Sequence, residues 1–162
     1  TLDGSSAASD VYKRQSEIRF IEYMDVGESN KWDPSKVVSS ESLLESINQH
    51  YSLKQMKTET SSTAKKWHIE DSNSSIGLIS SITQPFCSSC NRARLSVDGK
   101  LFTCLFASNG FDIKSVIRSD DYEEKLLEYF KKIWMERSDQ YSQIRFSSKR
   151  DLPKVEMSYI GG

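Results

Sequence analysis

Two kinds of periodicity alternate along the 162-residue chain and predict an α+β fold in which helices flank short hairpins. Apolar residues recur at helical spacing in two stretches, whereas β-branched and aromatic residues form short runs bounded by turn residues. Basic and acidic side chains nearly balance, 22 against 23. We therefore expect no nucleic-acid partner, although a local basic site stays open. Because no apolar run could span a bilayer and no signal peptide is evident, we expect a cytoplasmic protein without a membrane partner.

The chain begins with a segment that has no sustained period. We interpret residues 1–16, rich in Ser, Ala and charge, as a leader outside the fold, either a foreign junction or disordered. Residues 18–25 are β-branched and aromatic and close on Val26-Gly27, which predicts a strand. Because both faces of this strand mix apolar and polar side chains, it suits a barrel interior whose strand ends line a polar site.

The next elements are a helix and a hairpin. Asp33-Pro34 is typical of a helix start, with an N-cap followed by proline, and apolar spacing then predicts a helix over about residues 40–50. Two extended segments, 66–70 and 76–83, are separated by turn residues, which favours a hairpin.

A second helix is predicted near the end of the chain. Ser119 is expected to cap it, and the acidic residues that follow are favourable against the helix dipole. Its apolar stripe consists of Tyr122, Leu126, Tyr129, Phe130 and Ile133.

Three cysteines carry most of the chemical information. Cys87 and Cys90 form a C-x-x-C, and Cys104 follows after thirteen residues; an odd number argues against a disulfide framework. Asp98-Gly99, which lies between them, is typical of a two-residue hairpin turn. Such a turn sets the cross-strand pairs Val97–Lys100, Leu95–Phe102 and Ala93–Cys104. Cys104 would then return to within roughly 10 Å of Cys90, so we expect three thiols at one point.

The residues alone leave three interpretations of these thiols open. Structural zinc needs a fourth ligand, and neither His50 nor His68 lies at a usual finger spacing. Three thiolates fit a [4Fe–4S] cluster that keeps one iron open. Buried, inert cysteines are the third interpretation.

Two further features could bind or react. Arg92 and Arg94 lie two residues apart, so both project from one face of a strand, either as a clamp for a carboxylate or phosphate or as a solvated edge. The terminal Gly161-Gly162 could be a frayed end, a narrow tail that enters a site, or the activated end of a sulfur carrier.

These segments together resemble the GTP 3′,8-cyclase family (molybdenum cofactor biosynthesis protein A). The members of that family are radical S-adenosylmethionine enzymes. The stretch from Phe86 to Lys100, followed by Cys104-Leu105-Phe106, resembles the C-terminal cluster motif of that family. Arg19 to Gly27 looks like its late barrel strand, and Tyr159 to Gly162 looks like its tail. The resemblance runs from Glu17 to Gly162.

The resemblance implies a role for each motif. Cys87, Cys90 and Cys104 would bind a second [4Fe–4S] cluster, whose open iron contacts the purine of GTP. Arg92, Ala93 and Arg94 would contact GTP. Met24 would contact S-adenosylmethionine, and Gly161 and Gly162 would reach into the active site. The family converts GTP to 3′,8-cyclo-7,8-dihydro-GTP by radical chemistry, and cyclic pyranopterin synthase acts downstream. A homodimer is one expectation for the full-length enzyme.

One departure limits what the resemblance implies. The C-x-x-x-C-x-x-C motif of the family's first cluster has no counterpart here, so we expect a C-terminal part that is inactive alone. Residues 17–52 would be the last strand and helix of an incomplete radical-SAM (β/α) barrel. Residues 53–162 would form a C-terminal iron–sulfur and GTP-binding domain of short hairpins and helices with a Gly-Gly tail. Two alternatives stay open: a non-enzymatic zinc-binding interaction module, and a sulfur carrier that uses Gly162.

Overall fold

Short strands and helices make up the computed structural model, which describes residues 17–146 and 153–160 and confirms the predicted α+β class. The strands are β1 (Glu17–Ile21), β2 (Leu53–Gln55), β3 (Lys65–Ile69), β4 (Ser75–Ile79), β5 (Arg94–Leu95), β6 (Lys100–Phe102) and β7 (Phe111–Asp112). The helices are α1 (Ser40–Asn48), α2 (Lys114–Ile117), α3 (Tyr122–Met135) and α4 (Tyr141–Ile144). No helix within the described ranges is long and apolar enough to cross a membrane.

The described residues form two compact units. The first unit contains residues 17–23 and 37–84, and the second contains 24–36, 85–146 and 153–160. The expected parts 17–52 and 53–162, and the barrel origin of the first of them, stay predictions. The expected leader 1–16 lies outside the described residues.

A four-stranded sheet forms the first unit, in the order β1-β4-β3-β2. β1 runs parallel to β4, whereas β3 is antiparallel to both β4 and β2. The predicted hairpin is therefore confirmed as β3 and β4, with Trp67 opposite Ile76. Ile76 and Leu78 of β4 are buried.

A buried carboxylate explains why β1 ends at Ile21 rather than at residue 25 as predicted. Glu22 is 4% exposed and accepts hydrogen bonds from the backbone N–H groups of Ser40, Ile82 and Thr83, each at 2.8 Å, and from the Thr83 hydroxyl. Burial raises the pKa of Glu22, but these hydrogen bonds outweigh it and hold the pKa below its usual value. Glu22 thus joins the end of β1 to the start of α1 and to the loop after β4.

The predicted helix over residues 40–50 is confirmed as α1, but its start differs from the prediction. Asp33-Pro34 opens only a short 3₁₀ turn over Pro34–Lys36. The N-cap of α1 is Ser39, whose hydroxyl accepts the Ser42 N–H at 3.1 Å. A hydroxyl that satisfies one of the free N–H groups of the first turn is what stabilises a helix start.

A small three-stranded sheet, β5-β6-β7, and helices α2 to α4 belong to the second unit. Leu101, Ile113 and Ile133 form a core cluster, against which Leu126 and Tyr129 of the predicted stripe pack. Phe130 and Tyr122, also expected in the stripe, are exposed.

The predicted cap of this helix is wrong. The Ser119 hydroxyl donates instead to the Val116 carbonyl at 2.8 Å, where α2 ends. The N-cap of α3 is Asp121, in the left-handed region at φ 57°. Because the Ser119 hydroxyl is hydrogen-bonded to α2, it does not cap α3, whose N-cap lies two residues later.

A second buried carboxylate organises the second unit. Asp25, 2% exposed, accepts hydrogen bonds from Tyr141 Oη at 2.6 Å, Arg145 Nε at 2.9 Å and Lys154 Nζ at 3.2 Å. The Arg145 side chain is 3% exposed and lies over the rings of Phe106 and Tyr141. Burial raises the pKa of Asp25, but the donors outweigh it and leave the pKa below its usual value.

Candidate functional site

The hairpin that follows the C-x-x-C motif pairs one residue out of the predicted register. Arg94 lies opposite Phe102 and Leu95 opposite Leu101. The predicted pairs Val97–Lys100, Leu95–Phe102 and Ala93–Cys104 are therefore wrong. The loop has three residues rather than two. The Gly99 N–H donates to the Ser96 carbonyl at 3.0 Å, and Gly99 itself is left-handed at φ 84°. This is a type I turn followed by a glycine bulge, which is the usual three-residue hairpin.

Side-chain hydrogen bonds explain the choice of the longer loop. The Ser96 hydroxyl donates to the Asp98 carboxylate and accepts the Lys100 N–H at 3.0 Å. A two-residue turn would place Asp98 in the left-handed region and give up this arrangement. The structure therefore keeps only Gly99 at positive φ within the turn.

The corrected register changes which side chains share a face. Residues directly opposite in an antiparallel pair lie on the same side of the sheet, so Arg94 lies on the Phe102 side and Leu95 on the Leu101 side. Burial alternates accordingly, with Arg92 and Arg94 half-buried and the residues between and after them exposed. Cys104 packs against the cluster that contains Phe102. Arg94 thus lies on the side of the hairpin that faces the Phe102 cluster, against which Cys104 packs, whereas the predicted register separates Arg94 from Cys104.

The cysteines are all free and half-buried. Cys87 begins a short 3₁₀ turn, Cys87–Ser89, and the Cys90 N–H closes it by donating to the Cys87 carbonyl at 3.2 Å. Cys104 lies just beyond β6, where its sulfur accepts the Phe106 N–H at 3.5 Å. Arg92, near Cys90, lies over the Phe86 ring at 5.0 Å.

The electrostatic environments of Cys90 and Cys104 differ. Burial raises the pKa of Cys90, but hydrogen bonds from the Arg137 side chain and the Arg92 backbone outweigh it, so the pKa lies below the usual value. Burial raises the pKa of Cys104, and the Asp139 carboxylate and Cys87 raise it further. Of these two thiols, Cys90 is therefore the one that more readily becomes a thiolate.

The residues fit an iron–sulfur group by chemistry but do not form a closed ligand set. Three free thiols with two guanidinium groups nearby supply the soft anionic donors that such clusters use. Within residues 17–146 and 153–160, however, no three His, Cys, Asp or Glu side chains are grouped so as to hold a metal ion. Neither a three-cysteine set nor one completed by His50 or His68 is assembled there.

Two residues that contact the cysteine-bearing segments are not indicated by any sequence pattern. Arg137 Nη1 donates to the Cys90 carbonyl at 2.7 Å, and Asp139 accepts the hydroxyl of Thr103, the residue before Cys104. Both lie in the loop between α3 and α4, more than thirty residues after the cysteines in sequence. No motif or periodicity marks them.

The other expected contacts lie in different parts of the chain. Met24 is half-buried, and its carbonyl accepts the Asn30 side-chain amide at 3.2 Å. Gly161 and Gly162 lie outside the described residues. The exposed face of the hairpin borders a hollow of about 430 Å³, whose lining is mostly apolar: Ala93, Leu101, Phe130, Lys131, Trp134 and Met135.

Contacts of Glu156, Tyr159 and Ile160 hold the segment that leads to the terminal glycines. Glu156 Oε1 accepts the N–H groups of Glu28 and Ser29 at 2.9 and 3.1 Å. The Tyr159 hydroxyl donates to Asp98 at 2.6 Å, and Ile160 is fully buried in the Phe102 cluster. The described chain therefore ends against the same hairpin face that contains Arg94 and Cys104.

Comparison with known proteins identifies relatives along almost the whole chain. The family model described as Molybdenum Cofactor Synthesis C matches residues 16–143. A GTP 3′,8-cyclase from Synechococcus sp. (strain WH7803) is 41% identical over 150 residues, which cover 93% of this chain and 42% of that protein. A GTP 3′,8-cyclase from Staphylococcus aureus (strain JH9) is 46% identical over 151 residues, 90% of this chain and 44% of that protein. The chain spans less than half the length of these curated relatives.

Proposed function

Because the chain belongs to the Molybdenum Cofactor Synthesis C family, we propose that it is the C-terminal part of a GTP 3′,8-cyclase acting in molybdenum cofactor biosynthesis. The observation that carries this proposal is identity of 41–46% across at least 90% of the chain to proteins of that name. The reaction would convert GTP to 3′,8-cyclo-7,8-dihydro-GTP. This chain alone would be inactive, because the radical-generating cluster would have to come from elsewhere.

In this proposal the hairpin face binds the nucleotide. Arg92 and Arg94 would bind the anionic or carbonyl groups of GTP, with the backbone of Ala93 between them. Guanidinium groups suit this role because their planar donors match phosphate and carbonyl oxygens. The shared face of Arg94 and Cys104 supports it, since a substrate bound by the arginines would lie beside the third thiol.

Cys87, Cys90 and Cys104 are the residues that would hold a second [4Fe–4S] cluster. When bound, such a group would supply an iron with an open position for a purine atom. The chain's own contribution is to keep the thiols beside cationic groups, since Arg137 and Arg92 stabilise the anionic form of Cys90. Met24 would contact S-adenosylmethionine, and Gly161 and Gly162 would reach the active site as a narrow tail.

Anaerobic reconstitution with iron and sulfide, followed by analysis of iron, sulfide and zinc, tests this proposal. We expect about four irons per chain and GTP binding by equilibrium dialysis. Arg92→Ala and Arg94→Ala should each weaken GTP binding about tenfold or more, the loss expected for a charge-assisted hydrogen bond. Arg118→Ala, at the exposed end of α2, is the matched control and should bind GTP as the unmodified chain does. Stoichiometric zinc without nucleotide binding would instead favour a zinc-binding interaction module.

A further inference from the structure

The loop between α3 and α4 contacts both chain segments that carry the cysteines. We call these segments the Cys90 arm (residues 87–90) and the Cys104 arm (residues 103–106). On the first arm, Arg137 Nη1 donates to the Cys90 carbonyl at 2.7 Å. The Arg137 side chain is only 10% exposed, and its guanidinium lies over the Trp134 ring at 4.8 Å from the centroid. Stacking on the ring fixes the guanidinium plane and so aims its donors at the Cys90 arm.

The same loop holds the Cys104 arm through Asp139. Asp139 Oδ2 accepts the hydroxyl hydrogen bond of Thr103, a buried residue adjacent to Cys104. That carboxylate oxygen also lies 3.8 Å from Arg137 Nε. One guanidinium and one carboxylate, two residues apart, therefore link the arms in a continuous chain of polar contacts. We call this pair the 137/139 clamp.

The clamp links two ligand-bearing segments that have little local structure of their own. The Cys90 arm contains a single 3₁₀ turn, and the Cys104 arm follows a strand of only three residues, so neither has much local structure of its own. A set of thiols can ligate one group only if their backbones keep a fixed separation. Arg137 contacts the Cys90 carbonyl and also hydrogen-bonds the Cys90 thiol, whereas Asp139 contacts the residue before Cys104, so each member of the clamp acts on one ligand-bearing segment.

We propose that Arg137 and Asp139 are positioning residues that set the separation of the Cys90 and Cys104 arms for a shared metal group. This inference rests on the proposed function for the identity of that group, an iron–sulfur cluster. The opposite charges of the clamp would give it a second effect if Cys90 and Cys104 held a cluster, because the cation of Arg137 and the anion of Asp139 would bias its reduction potential in opposite directions.

Amide hydrogen exchange on the metal-free chain tests the clamp without a cluster. Arg137→Gln and Asp139→Asn should each accelerate exchange in both arms about tenfold or more, the effect of losing one charged hydrogen bond. Arg118→Gln and Asp120→Asn make the same chemical changes at exposed positions and should leave both arms unchanged. Unchanged exchange in the two clamp variants would overturn the proposal, whatever metal the chain binds.

The reconstituted chain supplies the charge-specific test. Arg137→Gln should shift the cluster midpoint potential to more negative values, and Asp139→Asn should shift it to more positive values. Arg137→Lys, which keeps the cation, should restore most of the potential. Shifts of the same sign in both variants would overturn the charge effect of the clamp, because the two variants remove charges of opposite sign. A chain that takes up no iron but shows the accelerated exchange would refute the proposed function and leave the clamp between the arms supported.

Discussion

Removing the charge of Asp25 should destabilise the second unit more than any other conservative change in residues 24–36. Asp25→Asn keeps the size of the side chain but places an amide NH₂ among three donors: Tyr141, Arg145 and Lys154. The Arg145 guanidinium, 3% exposed, then has no anionic partner at this position. Leaving one member of a buried ion pair without its partner costs about 3–5 kcal/mol.

The assay is urea unfolding followed by tryptophan fluorescence. Trp67 belongs to the first unit and is replaced by Phe in every variant, so that Trp32 and Trp134 report the second unit. With a slope of about 1–3 kcal/mol per M, the expected loss lowers the urea midpoint by at least about 1 M. Asp33→Asn is the matched control, because Asp33 is an exposed carboxylate that caps a short turn, and it should change stability by less than about 0.5 kcal/mol.

A double variant separates the cost of the isolated charge from the loss of contacts. Asp25→Asn combined with Arg145→Met removes the buried cation as well, and the apolar side chain still packs on the rings of Phe106 and Tyr141. We expect the double variant to be more stable than Asp25→Asn alone. A loss below about 1 kcal/mol for Asp25→Asn, or strict additivity in the double variant, would refute the reasoning.

Two further predictions concern the hairpin loop. Hydrogen bonds from Ser96 and Tyr159 lower the pKa of Asp98 to about 2, so the stabilisation that this carboxylate gives is present above pH 4 and is lost as the pH falls through about 2. Carbon-13 NMR should show this titration, and Tyr159→Phe should raise the pKa towards about 3.9; an unchanged pKa would contradict the assigned contact. Deleting Val97, which is 95% exposed, should convert the loop to a two-residue turn without shifting the strands. Cross-strand nuclear Overhauser contacts of Arg94 should therefore survive, whereas their loss would favour the register predicted from sequence.

Local patterns predicted the regular elements well. The helix α1 and the hairpin β3–β4 are encoded by periodicity and turn residues within windows of about ten residues. Their boundaries moved because side chains outside those windows intervene. Glu22 ends β1 early by turning to the N–H groups of Ser40 and Thr83, and no local pattern indicates those partners.

The sequence indicates the residue types of the candidate site, whose roles stay predictions, but not their supporting contacts. The C-x-x-C, the returning Cys104 and the arginine pair all lie within eighteen residues of sequence, where spacing can be read directly. Arg137 and Asp139 are brought to the cysteines by the packing of α3 on the hairpin through Leu101 and Ile133. Because that packing is tertiary, a charged residue in a polar loop carries no local signal of its role.

The error in hairpin register has the largest functional consequence, because a shift of one residue exchanges the two faces of a strand. With a two-residue turn, Cys104 would lie on the face of Ala93 and Leu95, beside the apolar hollow, and the arginines would point the other way. The Ser96–Asp98 hydrogen bond favours the three-residue loop and so turns Arg94 to the side of Phe102 and Cys104. In the proposed function, a nucleotide bound by Arg94 would then reach a group held by the thiols without crossing the sheet. The turn residues, which contact neither ligand in the proposal, thus decide whether the two halves of the site can act on one molecule.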